Sequence, residues 1–207
     1  MAGMTQSSPP GCASVTITSQ RGRNVAVRHI RPEDSTLLIE LFHLLSPESR
    51  RLRFMMLRPD LPDDLIAPQA GRLARIDPAA EVALIALVQE QGREHAIGVA
   101  RFCQDAGDPS TAEVAIVLRD DYQREELGTA LFDLLIQVAL VRGLKRLRAV
   151  SLVENVAMHR LIRKMGLPYT SHISRGETTV LIMLAGDGPT NDSGPGICQG
   201  HAETKVG

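Results

Sequence analysis

Residues Asp120 to Asn155 read DDYQREELGTALFDLLIQVALVRGLKRLRAVSLVEN. From Glu126 to Arg142, apolar side chains recur at Leu127, Ala130, Leu131, Leu134, Leu135, Val138 and Ala139, the spacing of one helix face. Gly143 then offers the left-handed residue that ends many helices. Lys145 to Val153 reads as a strand, and Asn155 opens a short helix that stops at Gly166. Just upstream, Thr111 to Arg119 (TAEVAIVLR) alternates as another strand. A strand, a tight loop and a helix in this order aim unpaired amides and a positive dipole end at whatever lies beside the strand terminus. The loop itself, Gln123-Arg124-Glu125-Glu126-Leu127-Gly128, stands where many α/β proteins place a glycine-rich phosphate cradle. Here two glutamates fill its middle.

Working toward the N-terminus, His95 to Gln104 and Glu81 to Glu90 read as two strands, and the Gln91-Gly92-Arg93-Glu94 turn makes them a hairpin. Residues 59 to 80 mix prolines with short apolar pieces and give no clear element. Ser46-Pro47 opens one helix. Arg31-Pro32-Glu33-Asp34 opens another, apolar at Leu37, Leu38, Leu41, Leu44 and Leu45. Val25 to Ile30 alternates as a strand. Toward the C-terminus, Tyr169 to Ser174 and Glu177 to Ala185 form a last pair of strands. The predicted order is βααβββαβαββ in one domain, residues 23 to 185. It is flanked by a flexible segment, 1 to 22, and a Gly- and Pro-rich disordered tail, 186 to 207.

The chain has 207 residues, 43% of them hydrophobic, enough for one ordinary core. A net charge of −1 and a pI near 6.6 do not suit a dedicated nucleic-acid binder. Cys12, Cys103 and Cys198 form no disulfide framework, and the histidines show no metal-ligand spacing, so no metal is expected. No apolar run approaches the ~18 residues of a membrane span, and the N-terminus lacks signal-peptide features. A cytoplasmic protein is expected, one that binds neither membrane nor nucleic acid, with its oligomeric state open.

The strand AEVAIVLRDDYQ, the Q-x-x-x-x-G turn, the helix GTALFDLLIQVALVRGL and the later EN-x-x-M resemble the GNAT superfamily of N-acetyltransferases. The opening IRPEDSTLLIELFHLLSPESRRLRFM and the strand IDPAAEVALIAL sharpen the resemblance toward the catalytic domain of Pat-type bacterial protein lysine acetyltransferases. It covers about residues 25 to 184. It implies an α/β GNAT fold, a mixed and mostly antiparallel central sheet flanked by helices. It also implies acetyl-CoA as co-substrate and an amine acceptor, a protein lysine or a small molecule.

The family motif runs Gln/Arg-x-x-Gly-x-Gly/Ala and grips pyrophosphate with backbone amides. Gln123 and Gly128 match it; Glu126 replaces its first glycine, with Arg124 and Glu125 beside it and Leu127 and Thr129 completing the helix start. A carboxylate about 5 Å from a phosphate opposes binding by roughly 1 kcal/mol in water-like surroundings and about 3 kcal/mol at an effective dielectric near 20. Turning outward, or pairing with Arg124, would remove most of that. Acids in the first turn of a helix also favour its dipole, so a helix without an anion ligand gives the same pattern.

Acetyl transfer needs a base for the ammonium proton and a donor for the thioester oxygen. By the resemblance Glu113 is the general base; as a plain residue it is an outward position of an alternating strand, on one face with Thr111, Ala115 and Val117. The same resemblance assigns the backbone of Ile116, Val117 and Leu118 to the pantetheine arm. Asn155 reaches the cofactor in this pattern and is equally a helix N-cap. Many GNAT enzymes place in this helix a tyrosine that protonates the departing thiolate; by the resemblance its position here is Ile162. Tyr122 and Cys103 read as packing residues, Cys103 as a small buried one. The alternative function is a GNAT-fold binding or regulatory protein whose cofactor loop is altered by Glu126.

Overall fold

The computed structural model describes residues 14–55 and 61–184. It is a single eight-stranded sheet in the order β1-β2-β3-β4-β5-β6-β8-β7, with helices on both faces. The strands are β1 (Val15–Thr18), β2 (Asn24–His29), β3 (Glu81–Glu90), β4 (Arg93–Gln104), β5 (Thr111–Leu118), β6 (Arg146–Leu152), β7 (Tyr169–Ser174) and β8 (Glu177–Met183). Between β2 and β3 lie α1 (Ser35–Leu44), α2 (Pro47–Phe54) and α3 (Asp63–Ala74). Helix α4 (Leu127–Val141) joins β5 to β6, and α5 (Val156–Lys164) follows β6. The mixed, mostly antiparallel sheet expected from the sequence is present, with β5 and β6 as its parallel pair.

Two elements depart from the sequence reading. Residues 15 to 18, inside the segment expected to be flexible, form β1 and pair in register with residues 24 to 27. Helix α3 occupies the stretch that gave no element. It buries only Ile66, Ala70 and Ala74, and carries Pro68 in its interior. Three buried positions, two of them alanine, with a proline between the first two are a weak periodic signal, since an interior proline opposes a helix by about 3 kcal/mol. The β3–β4 hairpin is tighter than expected, with Gln91 and Gly92 both at positive φ (52° and 80°), the two-residue turn that suits strand twist. The tail 186–207 lies outside the described residues.

Leu131, Phe132, Leu135 and Ala139 of α4 are fully buried against the sheet with Leu147 and Ile182. Each such Leu or Phe stabilises by roughly 1.5–3 kcal/mol. The helix ends as predicted. Gly143, at φ 77°, donates its N–H to Leu140, and Leu144 reaches back to Ala139, closing a Schellman motif. On the opposite face, α1 and α3 cover Ala83, Ile85, Leu87 and Val99. Among the described residues, no helix is long and apolar enough to cross a membrane.

Candidate functional site

The parallel ladder between β5 and β6 is short. It pairs Thr111–Val114 with Arg146–Ala149 and goes no further. Beyond Val114 the strands separate, while β5 stays paired to β4 through Leu118 and β6 to β8 through Leu152. Ile116, Val117 and Leu118, all half-buried, therefore turn one backbone edge into a slot. The closed end of the slot is tied by side chains. Arg146 donates to Asp108, Ser110 and the Thr111 hydroxyl, and Arg148 to Asp105.

Helix α4 begins at the open end. Its N-cap position, Glu126, makes no side-chain cap, so the amides of Leu127, Gly128 and Thr129 open the helix without intrahelical acceptors. The amide of Ala130 is the first to find one, the Glu126 carbonyl at 3.0 Å. Arg124 and Glu126 both take left-handed conformations, φ 60° and 65°. The glycine of the family motif would suit the second; a side chain there is strained by roughly 1–2 kcal/mol.

The two loop glutamates point away from each other. Glu125 is fully buried and receives Arg23, whose Nε lies 3.1 Å from Oε2, with Arg21 3.5 Å away. The hydrogen bond from Arg23 holds its carboxyl below the usual range. Arg23 also stacks 3.5 Å over the Tyr122 ring, and the Tyr122 hydroxyl donates to Glu90 at 2.7 Å. Glu125 thus anchors the loop to the β1–β2 turn, where its carbonyl also accepts from the Gln20 amide at 3.2 Å. Glu126 instead swings out to Lys164 at the end of α5 and forms an ion pair with it. The sequence reading offered Arg124 as partner. Arg124 is exposed, and the cation comes from 38 residues away.

Gln123 braces the loop, its amide donating to the Leu118 carbonyl (3.0 Å) and Ser49 Oγ (3.3 Å). Asp120 accepts from the Ser46 amide and from both Ser46 and Ser49 hydroxyls at 2.7–2.8 Å. Arg51 pairs with Glu154 in the turn after β6. Helix α2 is therefore pinned to both lips of the slot. Gly128 packs against Leu118, where an added Cβ would lie 3.4 Å from Cδ1. Asn155 is an N-cap, its Oδ1 accepting from the Met158 amide at 3.0 Å. Ile162 is buried in the core.

Glu113 stands on the last-but-one rung of the closed end, opposite Cys103 on β4 and Arg148 on β6. It is exposed, with Arg148 Nη2 3.4 Å from its carboxylate. Cys103, expected to be a buried packing residue, is exposed beside it. Being at the end of β4, it falls outside the helices that cover the rest of that face. On the same face, sequence reasoning missed Arg53. Its Nε is buried and has no hydrogen-bond partner among the described residues. Burial, with the charge of Arg101 adding and that of Glu113 opposing, pushes this guanidinium down to about 10, still a cation at neutral pH.

Residues 24–168 match the family model of the acetyltransferase (GNAT) domain. An acetyltransferase of Pseudomonas aeruginosa is 31% identical over 147 residues, 70% of this chain and 75% of that protein. The acetyltransferase Pat of Mycolicibacterium smegmatis is 31% identical over 99 residues, 48% of this chain but 28% of that longer protein. Among solved structures, the GNAT domain of S. lividans PAT superposes with a TM-score of 0.70 at 25% identity, covering 82% of this chain and 96% of that one. A cAMP-binding acyltransferase from Mycobacterium smegmatis shares the fold, with a TM-score of 0.57 at 20% identity, over 84% of this chain and 48% of that one.

Proposed function

Because the chain belongs to the GNAT acetyltransferase family and is an acetyl-CoA-dependent N-acetyltransferase, we propose that it passes the acetyl group directly to a primary amine, that of a protein lysine, with Glu113 as general base. One observation carries the reading: β5 presents at 116–118 an edge that β6 does not pair, the open amides of α4 follow it, and a carboxylate stands at the closed end of the slot. The amides of Leu127, Gly128 and Thr129 would hold pyrophosphate, with Gln123 and Gly128 shaping the loop. The edge Ile116–Leu118 would hold the pantetheine arm and lead it back toward Glu113. Asn155, besides capping α5, stands on the other lip.

When bound, acetyl-CoA supplies an activated thioester. Glu113 would accept the ammonium proton, through water if the amine stands off, leaving the neutral amine to attack. An amide of the β5 edge would support the carbonyl oxygen as it gains charge. The Glu126–Lys164 pair supports a working loop over a degenerate one, because the carboxylate faces a cation instead of the anion site. The lysine acceptor is supported by similarity to proteins named Pat and PAT. Glu113→Gln tests the assignment: kcat should fall about 10²- to 10⁴-fold while acetyl-CoA affinity by calorimetry is kept. Unchanged kcat would remove Glu113 from the chemistry.

A further inference from the structure

Three arginines of α2 face three fates. Arg50 donates to the Leu45 and His43 carbonyls at the end of α1, and Arg51 pairs with Glu48 and Glu154. Arg53 instead turns inward, into a pocket between α1, α2, β4 and β5. Its cavity volume is about 50 Å³. Leu41, Phe42, Phe54 and Val117 make its apolar wall; Arg53 and Arg101 are its charged lining. Arg101 is already engaged by Glu81 at 2.9 Å. Arg53 forms no hydrogen bond or ion pair among the described residues, and its Nε is inaccessible to water.

The Arg53 Nε is withdrawn from water with no hydrogen-bond partner among the described residues, whereas buried polar groups are nearly always satisfied; the guanidinium itself lies 5.2 Å over the Phe54 ring. With Arg101 engaged by Glu81, Arg53 is the cation of this pocket that has no ion-pair partner among the described residues. Apolar walls around a cationic end fit a carboxylate on a short hydrocarbon frame, which a guanidinium can bind through two parallel hydrogen bonds. The pocket lies on the sheet face that carries Glu113, whose charge reaches Arg53. An amine delivered to Glu113 thus has an anion site beside it.

We propose that Arg53, assisted by Arg101, binds a carboxylate of the acyl acceptor, so that the preferred amine is carried with a carboxylate on an apolar frame. This rests on the acetyl-transfer reading for the amine, but not for the carboxylate site itself. Two sources supply this chemistry, a free amino acid with an apolar side chain and an acidic residue flanking a protein lysine.

Calorimetry with isocaproate, which has the carboxylate and frame but no amine, probes the pocket without any reaction. Acetylation is then compared for leucine against leucinamide, and for lysine peptides with a neighbouring Glu against Gln. The natural protein should bind isocaproate and favour one of the acid-bearing acceptors by about tenfold or more in kcat/KM. In Arg53→Met both the binding and the preference should vanish. Arg53→Lys, which keeps charge without the fork, should retain part of each, and a cooperative melting transition of Arg53→Met shows that this variant folds. The pair that discriminates identifies the source. Isocaproate binding without acetylation of any acceptor would keep the site and overturn the acetyl-transfer reading. The proposal itself fails if the natural protein does not bind isocaproate, if Arg53→Met binds it equally, or if the only preference lost in Arg53→Met is for succinyl-CoA over acetyl-CoA, which would give the arginine to the donor.

Discussion

Replacing Lys164 by methionine should weaken acetyl-CoA binding although the lysine stands on α5, away from the loop 123–128 proposed to hold pyrophosphate. Lys164 and Glu126 are about half exposed, 51% and 40%, so their pair adds roughly 0–1 kcal/mol to stability and the melting temperature should barely move. The effect is electrostatic and falls on the ligand. Once unmasked, a carboxylate about 5 Å from pyrophosphate opposes it by roughly 1 to 3 kcal/mol as the effective dielectric falls from water-like to about 20. That corresponds to about fivefold to about 150-fold in Kd, and the exposure of both groups favours the lower end. Calorimetry on the natural protein, Lys164→Met, Glu126→Gln and the double variant closes a thermodynamic cycle. Lys164→Met should lose affinity, Glu126→Gln should gain or keep it, and Lys164→Met should matter far less when Glu126 is already Gln. Salt near 0.5 M should shrink the difference. The reasoning is refuted if Lys164→Met binds within twofold of the natural protein at low salt. It is refuted equally if Lys164→Met loses the same affinity in both backgrounds, because Glu126 would then play no part.

Acid should weaken the Glu90–Arg119–Tyr122 cluster. The hydrogen bond from Arg119 lowers the Glu90 carboxyl from its ordinary 4.5 to about 2, so its contribution is complete above pH 4.5 and is lost as pH falls toward 2. After solvent screening of a side chain one-third exposed, this is on the order of 1 kcal/mol. Melting curves of Glu90→Gln should lack that part of the acid slope; an identical slope would dismiss the pair. Gly98→Ala should damage the slot from the β4 side, since its Cβ would meet the Val117 carbonyl at 2.8 Å and Leu118 Cδ2 at 2.4 Å. A destabilisation of about 1–3 kcal/mol with poorer acetyl-CoA binding is expected in chemical denaturation and calorimetry, and full retention of both would show that the β5 edge tolerates displacement.

The elements that position the slot were legible because their signals are local. The α4 stripe, the Gly143 stop, the Asn155 cap and the strand before Gln123 each depend on spacings of a few residues. What escaped was set by distant partners. Glu125 and Glu126 are adjacent acids in the sequence, yet one is buried on Arg23 and the other reaches Lys164, 102 and 38 residues away. No local pattern separates them. Arg53 carried no signal of its own, because nothing in PESRRLRF says which arginine faces inward. Strand β1 was short and set among Ser and Thr, and only its pairing with β2 reveals it. Cys103 alternates correctly with buried Phe102, but the cover over its face ends before it.

The four-rung ladder between β5 and β6 leaves the sheet with an edge in its interior. Exposed strand edges recruit further strands, and proteins usually blunt them with charge, proline or a covering element. Here the covering element is α2, fastened through Ser46 and Ser49 to Asp120 on one lip and through Arg51 to Glu154 on the other. The same fastenings hold the lips apart, because a fifth rung would have to move both anchor points. The sheet is thereby kept unfinished, as two antiparallel halves that share one short hem.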